Sequence, residues 1–233
     1  ARQLCVSGAV LVCLSRNRSD ALQEWADAQG AQLEQWTADL AEPGPVAERL
    51  RNWLSTQDAD QTASATLINN AGVIGHLGPL DGAGADAIAT CLRIDLEAPV
   101  QLTAAFLAAT ADWNLPRRIL NISSGLGRRA MAGTALYCAA KAGLDHYSRC
   151  VALDEARKAR GARIVALAPG VIDTGMQTEL RGGDPLQFPD RDNFQQLKDT
   201  SALTSPEEAA RQVLRYLARA SFGDPVIADV RDA

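Results

Sequence analysis

Ala135-Leu136-Tyr137-Cys138-Ala139-Ala140-Lys141-Ala142-Gly143 sets a phenol and an ammonium four residues apart in a run of good helix formers. A helix brings residues at i and i+4 onto one face, one turn apart. An ammonium beside a phenol favours the phenolate and is expected to lower a pKa that starts at about 10. Tyr137 and Lys141 are therefore a candidate proton donor or acceptor for a hydroxyl or carbonyl. Alone the pair is weak, because tyrosine and lysine one turn apart are also common on solvated helix faces.

The residues upstream and downstream change its weight. Thirteen positions before Tyr137, Ser124 closes Arg118-Ile119-Leu120-Asn121-Ile122-Ser123-Ser124, a short apolar run followed by Gly125. This reads as a buried strand ending in a loop. A serine just past the carboxyl end of a strand lies where open α/β sheets bind their ligands. Residues 65–72 have the same design, a strand followed by Asn69, Asn70, Ala71 and Gly72. So do residues 162–170, with Pro169 and Gly170 ending the strand and Asp173 and Thr174 beyond it. Ser123 is expected to face away from Ser124, since side chains alternate along a strand.

Asn69-Asn70-Ala71-Gly72, Ser124, Tyr137-x-x-x-Lys141 and Pro169-Gly170 with Thr174, in this order and spacing, resemble the short-chain dehydrogenase/reductase family. The likeness covers most of the chain. The wording of residues 135–141 and 168–177 is most similar to the sepiapterin reductase and benzil reductase branch. The resemblance implies an NADP(H)-dependent carbonyl reductase, with Tyr137 protonating the carbonyl oxygen, Ser124 holding it, and Lys141 lowering the tyrosine pKa while gripping the nicotinamide ribose. Asn70, Ala71 and Gly72 would line the cofactor; Pro169, Gly170, Ile172 and Thr174 would position the carboxamide ring. Asp39 would accept from the adenine amino group, with Leu40 beside it. The substrate would be a small-molecule carbonyl compound, a vicinal dicarbonyl or a pterin-like ketone. Met176 would touch it from a lid at residues 175–204, and Asp229 stands where a pterin amino group would be held. Asp95 departs from an asparagine common in the family. A carboxylate there could raise the lysine pKa and alter the pH optimum, and it is carried as a fourth catalytic member.

Alternating strands and helices predict an α/β fold, a Rossmann-type, doubly wound parallel sheet flanked by helices in one domain over residues 1–233. Val10–Leu14, Ala31–Trp36 and Pro225–Asp229 read as further strands. Helices are expected from Ser19 to Gln29, at 45–54, 81–92, 95–112 and 134–158, and from the capping box Ser205-Pro206-Glu207-Glu208 to Ala218.

The first strand raises a difficulty. Arg2–Ala9 reads as that strand plus the opening of a glycine-rich phosphate loop at Gly8, and Val10–Leu14 as the second strand. Parallel neighbours need a crossover of a dozen or more residues. The loop and first helix, roughly 20 residues, are therefore expected to be missing from the sequence between Gly8 and Val10. A true deletion would instead give a catalytically silent dinucleotide-binding or interaction protein. At the end of the second strand Ser15 and Arg16 stand where an NAD enzyme carries an acid, which favours the 2′-phosphate of NADP.

The 233 residues, 47% hydrophobic and 22% charged, fit an ordinary globular domain. A net charge of −5 argues against a nucleic acid or anionic membrane partner. Arg128-Arg129 and Arg157-Lys158-Arg160 read as solvated faces. Cys5, Cys13, Cys91, Cys138 and Cys150 show no C-x-x-C spacing and are expected to be reduced thiols of a cytoplasmic protein. His76 and His146 have no metal-ligand spacing, so no metal is expected. Small apolar residues on the 95–112 and Tyr137 helices, beyond what one sheet face needs, suggest a homodimer or homotetramer.

Overall fold

The computed structural model describes residues 1–232. Its strands are β1 (Val10–Ser15), β2 (Gln32–Thr37), β3 (Ala65–Asn69), β4 (Arg117–Ile122), β5 (Arg163–Ala168) and β6 (Ile227–Asp229). The helices are α1 (Asp20–Gln29), α2 (Pro43–Ser55), α3 (Ala85–Leu92), α4 (Ala98–Ala109), α5 (Ala135–Ala156), α6 (Gly175–Arg181), α7 (Arg191–Asp199) and α8 (Pro206–Leu217). Every pairing is parallel, as the strand–helix alternation requires. Helix boundaries follow local chemistry. Ser19 caps α1 by accepting from the Leu22 N–H, and Gly30 ends it in the left-handed region at φ 68°. Ser205 caps α8 ahead of Pro206 in the same way. Among the described residues no helix is long and apolar enough to cross a membrane.

The ladder divides into two sheets: β1 with β2, and β3-β4-β5-β6. One apolar core spans both, with Trp36 of β2, Leu67 of β3 and Ile119 of β4 packed under Leu50 of α2 and Phe106 of α4. The β3 edge next to the smaller sheet carries no partner strand among the described residues. This interruption falls where the first strand was expected. Arg2–Leu4 instead form a 3₁₀ turn, closed by the Leu4 N–H on the Ala1 carbonyl. Cys5 packs against Ala26 and Ala31, on the β2–α1 side. The chain then turns through Val6–Ala9 directly into β1. Gly8, at φ 80°, therefore precedes β1, at the end opposite Ser15 and Arg16. A strand of six residues is about 20 Å long, so Gly8 is not part of a phosphate loop beside them.

The four-stranded sheet aligns its carboxyl ends. Register pairs Asn69 with Asn121, Ile122 with Leu167, and Ala168 with Asp229. Helix α5 lies across it with a buried stripe at Leu136, Tyr137, Ala140, Lys141, Leu144, Asp145 and Ser148. A purely apolar stripe would suffice for packing. Here half of the face is polar, and each polar member meets a group on the sheet or its loops.

Candidate active site

Helix α3 does not end at Leu92. It passes through a wider π turn, Arg93–Glu97, into α4, and Asp95 sits at its centre, fully buried. Such turns are concentrated at functional sites because they redirect a side chain without breaking the helix. The Oδ1 of Asp95 accepts from the Val73 N–H at 2.7 Å, and its Oδ2 lies 3.3 Å from the Lys141 Nζ. This second contact is an ion pair without hydrogen-bond alignment. Lys141 also donates to the Ile122 carbonyl at 3.2 Å, and its Nζ stands 5.5 Å from the centre of the Tyr137 ring. The backbone passes close by at Gly72. A Cβ there would lie 3.3 Å from the Asp95 Oδ2 and 3.4 Å from the Lys141 Nζ. Glycine is what lets the chain approach this pair.

Ser124 follows β4 and accepts from the Leu126 N–H at 3.1 Å, which orients its hydroxyl. That hydroxyl also stands toward the phenol of Tyr137 and pulls its pKa down. Ser123 faces the other way, as alternation predicts, and donates to Asp145 at 2.5 Å. Ser124, Tyr137, Lys141 and Asp95 thus converge at the carboxyl end of β4. Met176 joins them through an apolar cluster in which Leu180 and Phe188 of the 175–204 segment pack with Tyr137, Ile74, Leu126 and Met131.

One expectation is reversed. Lys141 was expected to pull the tyrosine pKa down, yet the phenol of Tyr137 is pushed up to about 12. Burial is the largest cause; the Asp95 carboxylate and the thiols of Cys138 and Cys91 add to it, and only the Ser124 hydroxyl opposes. The ammonium is committed to Asp95 and to a carbonyl, so little of its charge reaches the phenol. Burial likewise raises Asp95, with Lys141 and the Val73 N–H pulling the other way.

The remaining residues spread along the sheet ends. Ser15 and Arg16 follow β1 and are exposed; the Ser15 hydroxyl donates to the Asn17 carbonyl at 2.6 Å. Asp39, after β2, accepts from the Ala41 N–H at 2.9 Å and borders a hollow of about 280 Å³ with Trp36 and Arg49; Leu40 is half-buried beside it. Asn70 and Ala71 are exposed after β3. Pro169 and Gly170 follow β5, Gly170 at φ 82°. Ile172 bridges to Thr204, which ties the 175–204 segment to the sheet at its base, and Thr174 is exposed at the start of α6. Asp229 ends β6, but its carboxylate is taken by Arg231, at 2.8 and 2.6 Å. This arginine, two residues on, holds the Asp229 carboxyl below the usual carboxylate range.

Arg128 is a correction. It is not a solvated arginine: its Nε pairs with Asp145 at 3.1 Å and its Nη2 donates to the Ala228 carbonyl at 2.8 Å. It pins the loop after Ser124 to α5 and to β6. Sequence reading missed this clip because its partners lie 17 and 100 residues away. An aspartate on the buried stripe of α5, one turn beyond Lys141, was the available signal.

A model of the family described as short chain dehydrogenase matches residues 1–185. The chain belongs to this family. A benzil reductase ((S)-benzoin forming) of Bacillus cereus is 32% identical over 222 residues, 95% of this chain and 89% of that protein. A sepiapterin reductase of Meriones unguiculatus is 28% identical over 239 residues, 99% and 88% of the two chains. A metagenomic short-chain oxidoreductase solved in complex with NADP is 29% identical, with a TM-score of 0.63 over 74% of this chain and 75% of that one. As a short-chain dehydrogenase the protein is an oxidoreductase of nicotinamide-dinucleotide type with an α/β, Rossmann-like fold.

Proposed function

We propose that this short-chain dehydrogenase is an NADPH-dependent carbonyl reductase acting on a vicinal dicarbonyl, with Tyr137 as proton donor. The carrying observation is the convergence of Ser124, Tyr137 and Lys141 at one sheet end, with a buried phenol whose pKa is raised and the Ser124 hydroxyl beside it. A carbonyl oxygen set against both hydroxyls accepts a hydrogen bond from Ser124 and then the proton of Tyr137. The dinucleotide would supply the hydride to the carbonyl carbon. Lys141, buried beside Gly72, would meet the ribose next to the nicotinamide, and the phenolate left behind regains its proton from solvent. Apolar Phe188, Leu180 and Met176 exclude water from the phenol, which is only 7% exposed, so the 175–204 segment has to open for substrate to enter.

The residues present fit the two ends of the dinucleotide. Gly72 gives the close approach at Lys141, and Arg16, exposed with no ion pair among the described residues, suits a 2′-phosphate. The pyrophosphate between them has no glycine-rich cradle among the described residues. We assign that role to residues outside this sequence, as a strand beside β3 and the loop following it. An intact mass some 20 residues above 24.7 kDa supports this; a mass matching the 233 residues favours the silent, cofactor-sensing alternative. The site would work in a cytoplasmic homodimer or homotetramer, through the exposed faces of α4 and α5.

A dicarbonyl is preferred over a pterin ketone because Arg231 occupies both oxygens of Asp229, the acceptors a 2-amino-pyrimidinone would need. Parallel assays of an aromatic 1,2-diketone and sepiapterin, each with NADPH and NADH, test the proposal. Diketone reduction with NADPH is expected. Turnover of sepiapterin alone would overturn the substrate class, and equal use of NADH would overturn the cofactor.

A further inference from the structure

Asp95 stands in direct contact with the Lys141 ammonium from the centre of the π turn. Its carboxylate is wholly buried and held at Oδ1 by the Val73 N–H; Oδ2 has only the Lys141 ammonium, 3.3 Å away. Lys141 is 3% exposed and spends its other contact on the Ile122 carbonyl. Both strong partners of the ammonium are therefore oxygens other than the phenol. We infer that Asp95, by taking Lys141 as its ion-pair partner, offsets the charge the ammonium would otherwise place beside Tyr137 and so keeps the phenol in its neutral, proton-donating form. This rests on the reading of Tyr137 as the proton donor.

Among the described residues that act on Tyr137, no other cation opposes the effect. The segment from α3 through the π turn brings Cys91 and Asp95 toward it, α5 brings Cys138 and Lys141, and the end of β4 brings Ser124. Cys91 is a neutral thiol, raised to about 11 by burial first and by Asp95 second. The lid residues in the same cluster, Met176, Leu180, Phe188 and Phe194, carry no charge. Further along α5, Asp145 is occupied by Ser123 and Arg128. Burial is the first cause that raises the phenol, and the Asp95 carboxylate beside the paired Lys141 adds to it. Reduction consumes the proton of a neutral phenol, so the site keeps its proton donor across the neutral range.

Asp95→Asn keeps an oxygen for the Val73 N–H and removes the charge. Lys141 then faces the phenol with its charge uncompensated, and the phenolate midpoint of Tyr137 is expected to fall by about one pH unit or more. The measurement is ultraviolet phenolate absorbance against pH. The chain has three tyrosines, so subtracting the Tyr137→Phe titration isolates this one. This readout requires no turnover and is separate from the functional reading. In the activity arm, the alkaline limit of carbonyl reduction, set by loss of the phenol proton, moves to lower pH in Asp95→Asn. Asp95→Ser, which also removes the charge, is read in the same way if the amide variant does not fold. An unmoved or higher phenolate midpoint overturns the inference, as does failure of both variants to fold, which would make Asp95 purely structural. A lowered midpoint without diketone turnover in any variant sustains the inference about charge and overturns the reductase reading.

Discussion

At the residue scale, the site is governed by what stands within a few ångströms of Lys141. Gly72 stands close to this pair: a methyl group there would lie 3.3 Å from the Asp95 Oδ2, which would have to give by a few tenths of an ångström, and would touch the Lys141 Nζ at 3.4 Å. Gly72→Ala is expected to lower kcat by roughly tenfold to a hundredfold, because displacement of reacting groups by under 1 Å already costs that much. The melting temperature should move little, which a paired kinetic and thermal-shift measurement checks. Arg16→Ala should raise KM for NADPH by roughly tenfold or more, the loss of a charge-assisted hydrogen bond, and leave KM for NADH nearly unchanged. Equal loss for both cofactors would remove Arg16 from the 2′-phosphate. The positions of Ser124, Tyr137 and Lys141 were legible from spacing and strand ends alone. The electrostatics were not, since the partner of Lys141 lies 46 residues earlier, on a π turn no periodicity announces.

At the element scale, α5 does more than cover the sheet. Its inward face reads Tyr137, Lys141, Asp145 and Ser148, and the last two hold the helix in register with β4. Ser148 accepts from Asn121, which is also bonded to Tyr147 and to Asn69 of β3. Asp145 is the centre of the Ser123–Arg128 clip. Breaking a largely buried pair leaves a charge without a partner, so Asp145→Ala is expected to destabilise the fold by about 3 kcal/mol. Urea unfolding would show it, and a loss under about 1 kcal/mol would make the clip incidental. The Tyr137 motif and the capping box at Ser205 located α5 and α8 to within a few residues, while the short helices α6 and α7 in the 175–204 segment went unread. The expected first strand within Arg2–Ala9 failed: with no neighbouring strand to pair with, Arg2–Leu4 close into a 3₁₀ turn instead. Strand propensity becomes a strand only where a ladder exists to receive it.

At the scale of the whole molecule, the tyrosines share a property that sets its alkaline limit. Tyr137, Tyr147 and Tyr216 are all raised, burial being the first cause in each. A phenol whose folded pKa lies above its unfolded value of about 10 holds its proton longer in the native state, so stability is full below that pH and falls above it. Urea midpoints should be level from about pH 8 to 10 and decline as pH rises from there toward 12. A flat profile through that window would contradict the burial of these rings. The two sheets share one core on the α2–α4 side yet leave the β3 edge open, and the pyrophosphate cradle is assigned to what would fill it. The most direct test of the whole account is NADPH consumption by wild-type protein and Tyr137→Phe on an aromatic 1,2-diketone, with binding of NADPH measured separately. Removing a proton donor should cut kcat by about a hundredfold to ten-thousandfold while the cofactor still binds. Near-normal turnover by Tyr137→Phe would contradict it.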